Sequence, residues 1–529
     1  MRVLKTIEGL KCCLAIWRQP SADDYPAIAS VGLVPTMGAL HPGHMSLIEQ
    51  ARRENDRVVV TIFVNPLQFS AGEDLDAYPS TLQQDLEQCA SSGVDAVFCP
   101  LPQVLYGQTD PRLANLTQVL SPATMMSHLC GPYRPGHFPG VTTVVAKLFN
   151  LIQPNRAYFG RKDAQQLAIL RRMVTDLNLP VEIVDCPIIR ESNGLAYSSR
   201  NQYLSEDERQ QAAVLYESLK QAKTAFDQGE RQGSVLTRVV RQVLSQMPSL
   251  KVQYVDLVHP ETMQSLAKID TIALLAIAAY LGKTRLIDNM LLRSRHPIIA
   301  IDGPAGAGKS TVARIVADKL NLLYLDSGAM YRAVTWRVLQ LGIDPQDEIA
   351  VAEVLANCRL RLSADPTLHQ PVGLTRVWVN DQEVTQVIRG PEVTAQVSVI
   401  AAQPMVRQVL LKQQQAYGTN GGVVMEGRDI GTQVFPFAEL KIFLTASVHE
   451  RARRRQKDLV AQNQPTMSLE ALQQAIDERD RKDSTRRVAP LRRAEDAIEL
   501  ITDGLSIEAV VEKIVGLYHD RLSINLIES

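Results

Sequence analysis

Long apolar runs are scarce in this 529-residue chain. The longest, Ile272–Leu281, is about half the ~20 residues that span a bilayer, and Glu8 and Lys11 interrupt the apolar residues of Met1–Trp17. Neither a membrane segment nor a secretory signal is expected. Cysteine is sparse too: seven, an odd number, without CxxC or mixed Cys/His metal spacing. That excludes a disulfide framework and a zinc ribbon, and it points to reduced thiols in a cytoplasmic setting. No sign of charge predominates, with 56 Lys and Arg against 57 Asp and Glu, which argues against a surface that coats nucleic acid. Repeats and low-complexity tracts are missing. What remains, 45% apolar and 21% charged, is the balance of an ordinary globular protein. Single hydrophobic cores stop growing at about 250–300 residues, so two domains are expected.

A phosphate-cradling loop, Gly303-Pro304-Ala305-Gly306-Ala307-Gly308-Lys309-Ser310-Thr311, opens in mid-chain, after the strand-like IIAID (298–302) and before a helical stretch reaching about Leu320. Folds of this kind begin with the strand that feeds the loop, so the residues ahead of it need a domain of their own. The expected division is 1–289, a short basic connector 290–296, and 297–529. In the first part, short apolar runs (58–64, 95–100, 156–160, 181–189) alternate with helical patterns (79–92, 166–177), the signature of a parallel α/β sheet. From Ser205, a capping box with Glu208 opens a helical stretch. Strand-like 252–258 and 271–280 follow, so a small α+β subdomain from about residue 190 is expected to close the first half. In the second part, 359–400 (LRLSA, TRVWVNDQEVT) reads as a small β-rich insertion. VVMEG (423–427) and LKIFLTA (440–446) resume the α/β pattern, and an arginine-rich helical stretch covers about 448–486.

The loop's glycines, Gly303, Gly306 and Gly308, let backbone N–H groups converge on the phosphates of ATP or GTP. Lys309 reaches the terminal phosphates, Ser310 can ligate Mg²⁺, and Ser310 and Thr311 are expected with Lys309 among the ATP contacts. The acceptor must be read elsewhere. LDSGAMYR (325–332) lies just downstream, where Ser327 and Arg332 can bond a base edge or a phosphate. EGRDIGT (426–432) places Arg428 beside Asp429 at a strand end, and DERDRKDSTR (477–486) spaces further guanidiniums. Phosphoryl transfer needs such forks to neutralise charge on the moving group.

On these pieces, residues 297 to about 520 resemble bacterial cytidylate kinase. The resemblance implies a P-loop nucleoside monophosphate kinase domain with a lid, transferring the γ-phosphate of ATP to CMP or dCMP. By position it implies that Ser327, Arg332, Ser398, Arg407, Arg428, Asp429, Arg479, Asp483 and Arg486 hold CMP, and that Arg454 is the lid arginine that approaches ATP.

In the first half, VPTMGALHPGH (34–44) follows a strand and precedes a helix expected to begin near Met45. His41 and His44 can present two imidazole donors to a phosphate at that helix start, alongside Met37. Zinc is the competing reading of H-x-x-H, but Cys and carboxylate ligands are missing nearby. With FVNPLQF (63–69), RPGHFPGVTTVV (134–145), FGRKDAQQL (159–167) and GLAYSSRN (194–201), the half through TRLIDN (284–289) resembles pantothenate synthetase, the pantoate–β-alanine ligase. That resemblance implies a Rossmann-like nucleotidyltransferase fold. The resemblance implies attack of the pantoate carboxylate on the α-phosphorus of ATP to give pantoyl adenylate, then displacement of AMP by β-alanine. It assigns ATP contacts to Met37, His41, His44, Gly160, Lys162, Asp163, Ser198, Ser199 and Arg200, and pantoate contacts to Asn65, Gln68 and Gln166. His41, His44, Lys162, Arg200, Lys309 and Arg454 are the residues expected to carry catalysis. Arg161 and Cys130 stand where the family more often has Glu.

The overall expectation is an α/β chain with two ATP-consuming sites and Mg²⁺, a homodimer through the first half, and no nucleic-acid or membrane partner. Two other readings stay open at this stage: a second half that senses nucleotide without turnover, and a first half that adenylates a different acid. The lid and acceptor arginines weigh against the former, and FVNPLQF with KDAQQ against the latter.

Overall fold

The computed structural model describes residues 1–19, 29–69, 75, 78–79, 81–110, 116–294, 296–363, 375–461, 468–485 and 489–527. The chain divides into two compact units, Met1–Ser294 and Arg295–Glu528.

The first unit is built on strands β1 (Arg2–Leu4), β2 (Val31–Thr36), β3 (Arg57–Ile62), β4 (Ala96–Phe98), β5 (Arg156–Gly160) and β6 (Glu182–Cys186). They form one sheet in the order β1-β4-β3-β2-β5-β6, with every pair parallel. The order reverses beside β2, so a crevice opens at the carboxyl ends of β2, β3 and β5, where ligands of such sheets bind. Helices cover both faces. One is His137–Ile152, whose TVVAKLFNLI segment is buried on nearly every side.

Three further strands, β7 (Leu250–Val258), β8 (Ile272–Leu281) and β9 (Thr284–Arg293), pair antiparallel in a separate sheet. The apolar run noted in the sequence is β8, its central strand. Ala273, Leu275, Ile277 and Ala279 pack under the helices Val214–Asp227 and Gly233–Leu244. Leu274, Ala276 and Ala278 pack on Leu129, Phe138 and Ile169. Burial on both faces is why this strand lacks polar alternation. The capping box forms as expected, Ser205 N–H donating to Glu208 at 2.9 Å and Glu208 N–H to the Ser205 hydroxyl at 3.2 Å. β9 runs on to Arg293, so most of the stretch expected as a connector from 290 is sheet.

The second unit contains β10 (Ile298–Asp302), β11 (Leu323–Asp326), β12 (Leu360–Ser363), β13 (Arg376–Val379), β14 (Gln382–Glu383), β15 (Val423–Glu426), β16 (Leu440–Thr445) and β17 (Ile498–Ile501). Its main sheet runs β11-β15-β10-β16-β17, all parallel. β12, β13 and β14 make a small antiparallel sheet. The β-rich reading of 359–400 holds only to Glu383, because Pro391–Ala402 is a helix. The strand-like segments LRLSA and TRVWVNDQEVT that carried the β-rich reading lie upstream of it. Pro391 at the first helical position, and Val393, Val397 and Ile400 turned to the core, fit a helix instead. The arginine-rich stretch forms two helices, Val448–Ala461 and Leu469–Thr485.

Candidate active sites

In the first unit the chain leaves β2 through a tight turn, with Gly38 at φ 86° and Ala39 at φ 49°. Asp85, 1% exposed, holds it there. Its carboxylate accepts from Ala39 N–H at 3.0 Å, Leu40 N–H at 2.8 Å and the Thr81 hydroxyl at 3.1 Å. The turn's N–H groups at Ala39 and Leu40 are thereby taken. The helix after the turn is Pro42–Glu54, three residues earlier than the sequence suggested, with His41 as its N-cap residue. His44 therefore lies in the first turn. Gly43 lets the His41 ring fold over it, since a Cβ there would come 2.9 Å from that ring. The two imidazoles stack at 3.9 Å.

Burial drives both imidazoles toward the neutral form, with help for His41 from His44 and for both from Lys162. The His41 pKa falls to about 2 and that of His44 to about 4. Their buried Nδ1 atoms have no hydrogen-bond partner among the described residues. Lys162 follows β5, its pKa lowered chiefly by burial, and its Nζ donates to the Tyr197 carbonyl at 3.1 Å. Asn289 on β9 fixes that segment by donating to the carbonyls of Arg161 and Lys162 at 3.0 and 2.9 Å. Beside it, Asp288 accepts two bonds from Arg190, at 2.7 and 3.0 Å, and Arg190 lies 3.7 Å over the Tyr216 ring. This anchors the segment leading to Ser198, Ser199 and Arg200. Ser199 reaches the Tyr78 hydroxyl at 2.9 Å.

Met37, His41, His44, Asn65, Gln68, Gly160, Lys162, Asp163, Gln166, Ser198, Ser199 and Arg200 all line one cavity. Asn65 differs from expectation in having every polar position engaged. Its Oδ1 accepts from Leu67 N–H and Tyr106, and its Nδ2 donates to Gly140 and Gln68. It acts as a strut for Gln68, which reaches the Met37 sulfur at 2.7 Å. Gly140 permits this packing, because a Cβ there would fall 2.3 Å from the Leu67 carbonyl. The two departures from the family pattern are also accounted for. Arg161 is tied to Asp185 at 2.6 Å, so its charge is answered locally. Cys130 is buried, taking a bond from Arg285 and lying 3.3 Å from the Tyr254 hydroxyl.

In the second unit, β10 delivers the glycine loop, with Gly303, Gly306 and Gly308 all at positive φ. A Cβ on Gly303 would fall 1.9 Å from the Leu444 carbonyl on neighbouring β16. Lys309 is 6% exposed and donates to the Pro304 carbonyl at 2.7 Å. Burial first, then Arg428, lowers its pKa to about 7. The Arg428 charge is therefore close enough to act on the lysine of the glycine loop. Glu426, buried at the end of β15, accepts from Tyr324 at 2.6 Å and from the Ser310 hydroxyl, and burial followed by Asp326 raises its pKa.

Around this loop, Arg428 pairs with Asp483 at 3.0 Å, Arg407 with Asp429 at 2.8 Å and Arg332 with Asp326 at 2.5 Å. Gly427 leaves room for the buried Ser327, whose hydroxyl would lie 2.6 Å from a Cβ there. Arg479 and Ser398 stand exposed on their helices, and Arg486 lies outside the described residues. Arg454 bonds Glu450, Thr502 and, at 3.5 Å, the Ala307 carbonyl of the loop. Arg451, which the sequence reading passed over, is buried against the same loop. It donates to the carbonyls of Ala305 and Ala446 and pairs with Asp480 at 2.7 Å.

Family comparison matches residues 2–291 to the pantoate-beta-alanine ligase family and 299–520 to the cytidylate kinase family. A relative named bifunctional pantoate ligase/cytidylate kinase, from Trichormus variabilis, is 58% identical over 99% of this chain and 100% of its own. The chain belongs to the bifunctional pantoate ligase/cytidylate kinase family. A relative of the same name from Acaryochloris marina is 53% identical over 98% of both chains. The crystal structure of pantothenate synthetase from Thermus thermophilus aligns with a TM-score of 0.50 and 42% identity, covering 55% of this chain and 99% of that one. The chain is thus both a pantoate–β-alanine ligase and a cytidylate kinase, each activity consuming ATP. Among the described residues no helix is long and apolar enough to cross a membrane.

Proposed function

We propose that the two reactions run at separate nucleotide sites, one opened at the α-phosphorus of ATP and the other at the γ. In the first unit, the pantoate carboxylate attacks the α-phosphorus as an anion and needs no base. His41, His44, Lys162 and Arg200 meet the phosphate charge, while Gln68 and Gln166 orient pantoate and Asp163 the ribose. The observation that carries this reading is the stacked imidazole pair, whose buried Nδ1 atoms are unpartnered among the described residues and which burial drives toward the neutral form. Neutral imidazole donates a hydrogen bond without the cost of burying a charge. β-Alanine then displaces AMP as the free amine.

In the second unit, the loop and Lys309 grip ATP, and Ser327, Arg332, Ser398, Arg407, Arg428, Asp429, Arg479, Asp483 and Arg486 hold CMP or dCMP. Arg454 answers the charge on the transferring group. The hard oxygen donors of Ser310 and Glu426, already hydrogen-bonded to one another, fit Mg²⁺. When bound, the ion would neutralise charge on the ATP β- and γ-oxygens. Seven free cysteines accord with a cytoplasmic enzyme, and we further propose homodimerisation through the first unit. The test is a two-substrate assay on the full chain. His44→Ala should silence pantothenate formation alone and Lys309→Met should silence CDP formation alone, whereas loss of both activities from either substitution would overturn the separation.

A further inference from the structure

Asp302 ends β10 one residue before the first glycine of the donor loop, yet its side chain serves another segment. The carboxylate is 4% exposed. Its Oδ1 accepts from Ile430 N–H at 2.8 Å and its Oδ2 from Gly431 N–H at 2.7 Å. These two residues follow Arg428 and Asp429 directly and open the turn Ile430–Val434. The approach is close: a Cβ on Gly431 would lie 3.3 Å from Asp302 and 3.2 Å from the Lys441 side chain. On its other side the same turn presents Arg428, paired with Asp483, and Asp429, paired with Arg407. One buried carboxylate therefore joins the root of the ATP loop to the root of the acceptor arginine.

We propose that Asp302 is a positioning residue for phosphoryl transfer, holding the acceptor turn Arg428–Gly431 at a fixed distance from the ATP loop. The inference rests on the reading of Arg428 and Asp429 as CMP contacts. In-line transfer tolerates little misplacement, and an error of about 1 Å in a reacting group can cost ~100-fold in rate. An amide at 302 keeps one acceptor oxygen but turns N–H groups toward a backbone N–H, so the turn must shift away from the loop. The loop's own N–H groups are untouched by the change.

The experiment is steady-state CMP phosphorylation by the full-length Asp302→Asn enzyme without pantoate, varying CMP and ATP separately. We expect kcat to fall at least about tenfold and KM for CMP to rise, with KM for ATP within about twofold of wild type. An unchanged melting profile of the second unit in the full-length chain reports that it is folded, and Asp302→Ser serves where the amide prevents the second unit from folding. Wild-type kcat and KM for CMP, or a KM for ATP that rises in step with that for CMP, would overturn the proposal. Arg428→Ala separates the two levels. If it leaves KM for CMP unchanged, the reading of the acceptor site fails. If it raises that KM while Asp302→Asn changes nothing, only the role of Asp302 fails.

Discussion

Replacing Asp85 by Asn tests how the ligase site is held. In the wild type both carboxylate oxygens are engaged, by Ala39 N–H at 3.0 Å on one side and by Leu40 N–H at 2.8 Å and the Thr81 hydroxyl on the other. Asparagine keeps one oxygen and sets an NH₂ against the remaining N–H, among residues that are almost wholly buried. A hydrogen bond to a charged group is worth about 1.5–3 kcal/mol and an orphaned buried donor costs about 1–3 kcal/mol, so a loss of roughly 2–4 kcal/mol follows. The clamp also offsets the strain of Ala39 at φ 49°, of order 1 kcal/mol or more. If the turn relaxes instead of the unit unfolding, the stability loss is smaller but His41, two residues on, moves. A shift near 1 Å then costs adenylation about 100-fold. Pantoate-dependent pyrophosphate release measures this, with CMP phosphorylation by the same sample as the control. An Asp85→Asn enzyme with ligase kcat/KM within twofold of wild type and an unchanged melting profile would refute the reasoning.

The remaining expectations concern protons and a buried ion pair. With pKa values of about 2 and 4, His41 and His44 should show no NMR titration near pH 6.5 in the unliganded protein, and a midpoint there for either ring would contradict their burial. Because these folded-state values lie below the unfolded one, the unfolded chain binds more protons from about pH 6.5 down to about 4 on account of His44 and down to about 2 on account of His41. Their contribution to stability is therefore complete above pH 6.5 and lost as pH falls through that window, which urea unfolding at stepped pH can follow. Asp288→Asn breaks a pair whose carboxylate side chain is 2% exposed. It should destabilise the first unit by about 3–5 kcal/mol and raise KM for ATP in the ligase reaction. A cost under about 1 kcal/mol would show that Arg190 finds another partner.

What the sequence disclosed was local, and what it concealed was not. The glycine loop and the HPGH segment carry their chemistry within a dozen residues, so both sites and both parallel sheets were legible. Asp85 lies more than forty residues from the turn it clamps, and nothing in TLQQDLEQ marks it. Asn289 reaches Lys162 only because β9 lies against the first sheet's carboxyl edge. Asp302 and Glu426 had a faint signal, each being a carboxylate that ends an apolar strand. Asn65 lines the cavity, and its side-chain bonds to Tyr106 and Gly140 join segments too far apart in the chain for any sequence pattern to mark. The helix Pro391–Ala402 was obscured by the strand-like segments upstream of it, although the spacing of its apolar residues turns them to the core.

The use of Asp85 to occupy the turn's amides sets a limit on what can stand at that position. A glutamate is a methylene too long for a site that is almost wholly buried, and an apolar residue leaves two main-chain donors orphaned. The second unit's loop keeps its shape from the opposite direction, through glycines at positive φ, the first of them with no room for a Cβ. One turn is thus fixed by a side chain that must be present, and the other by side chains that must be missing.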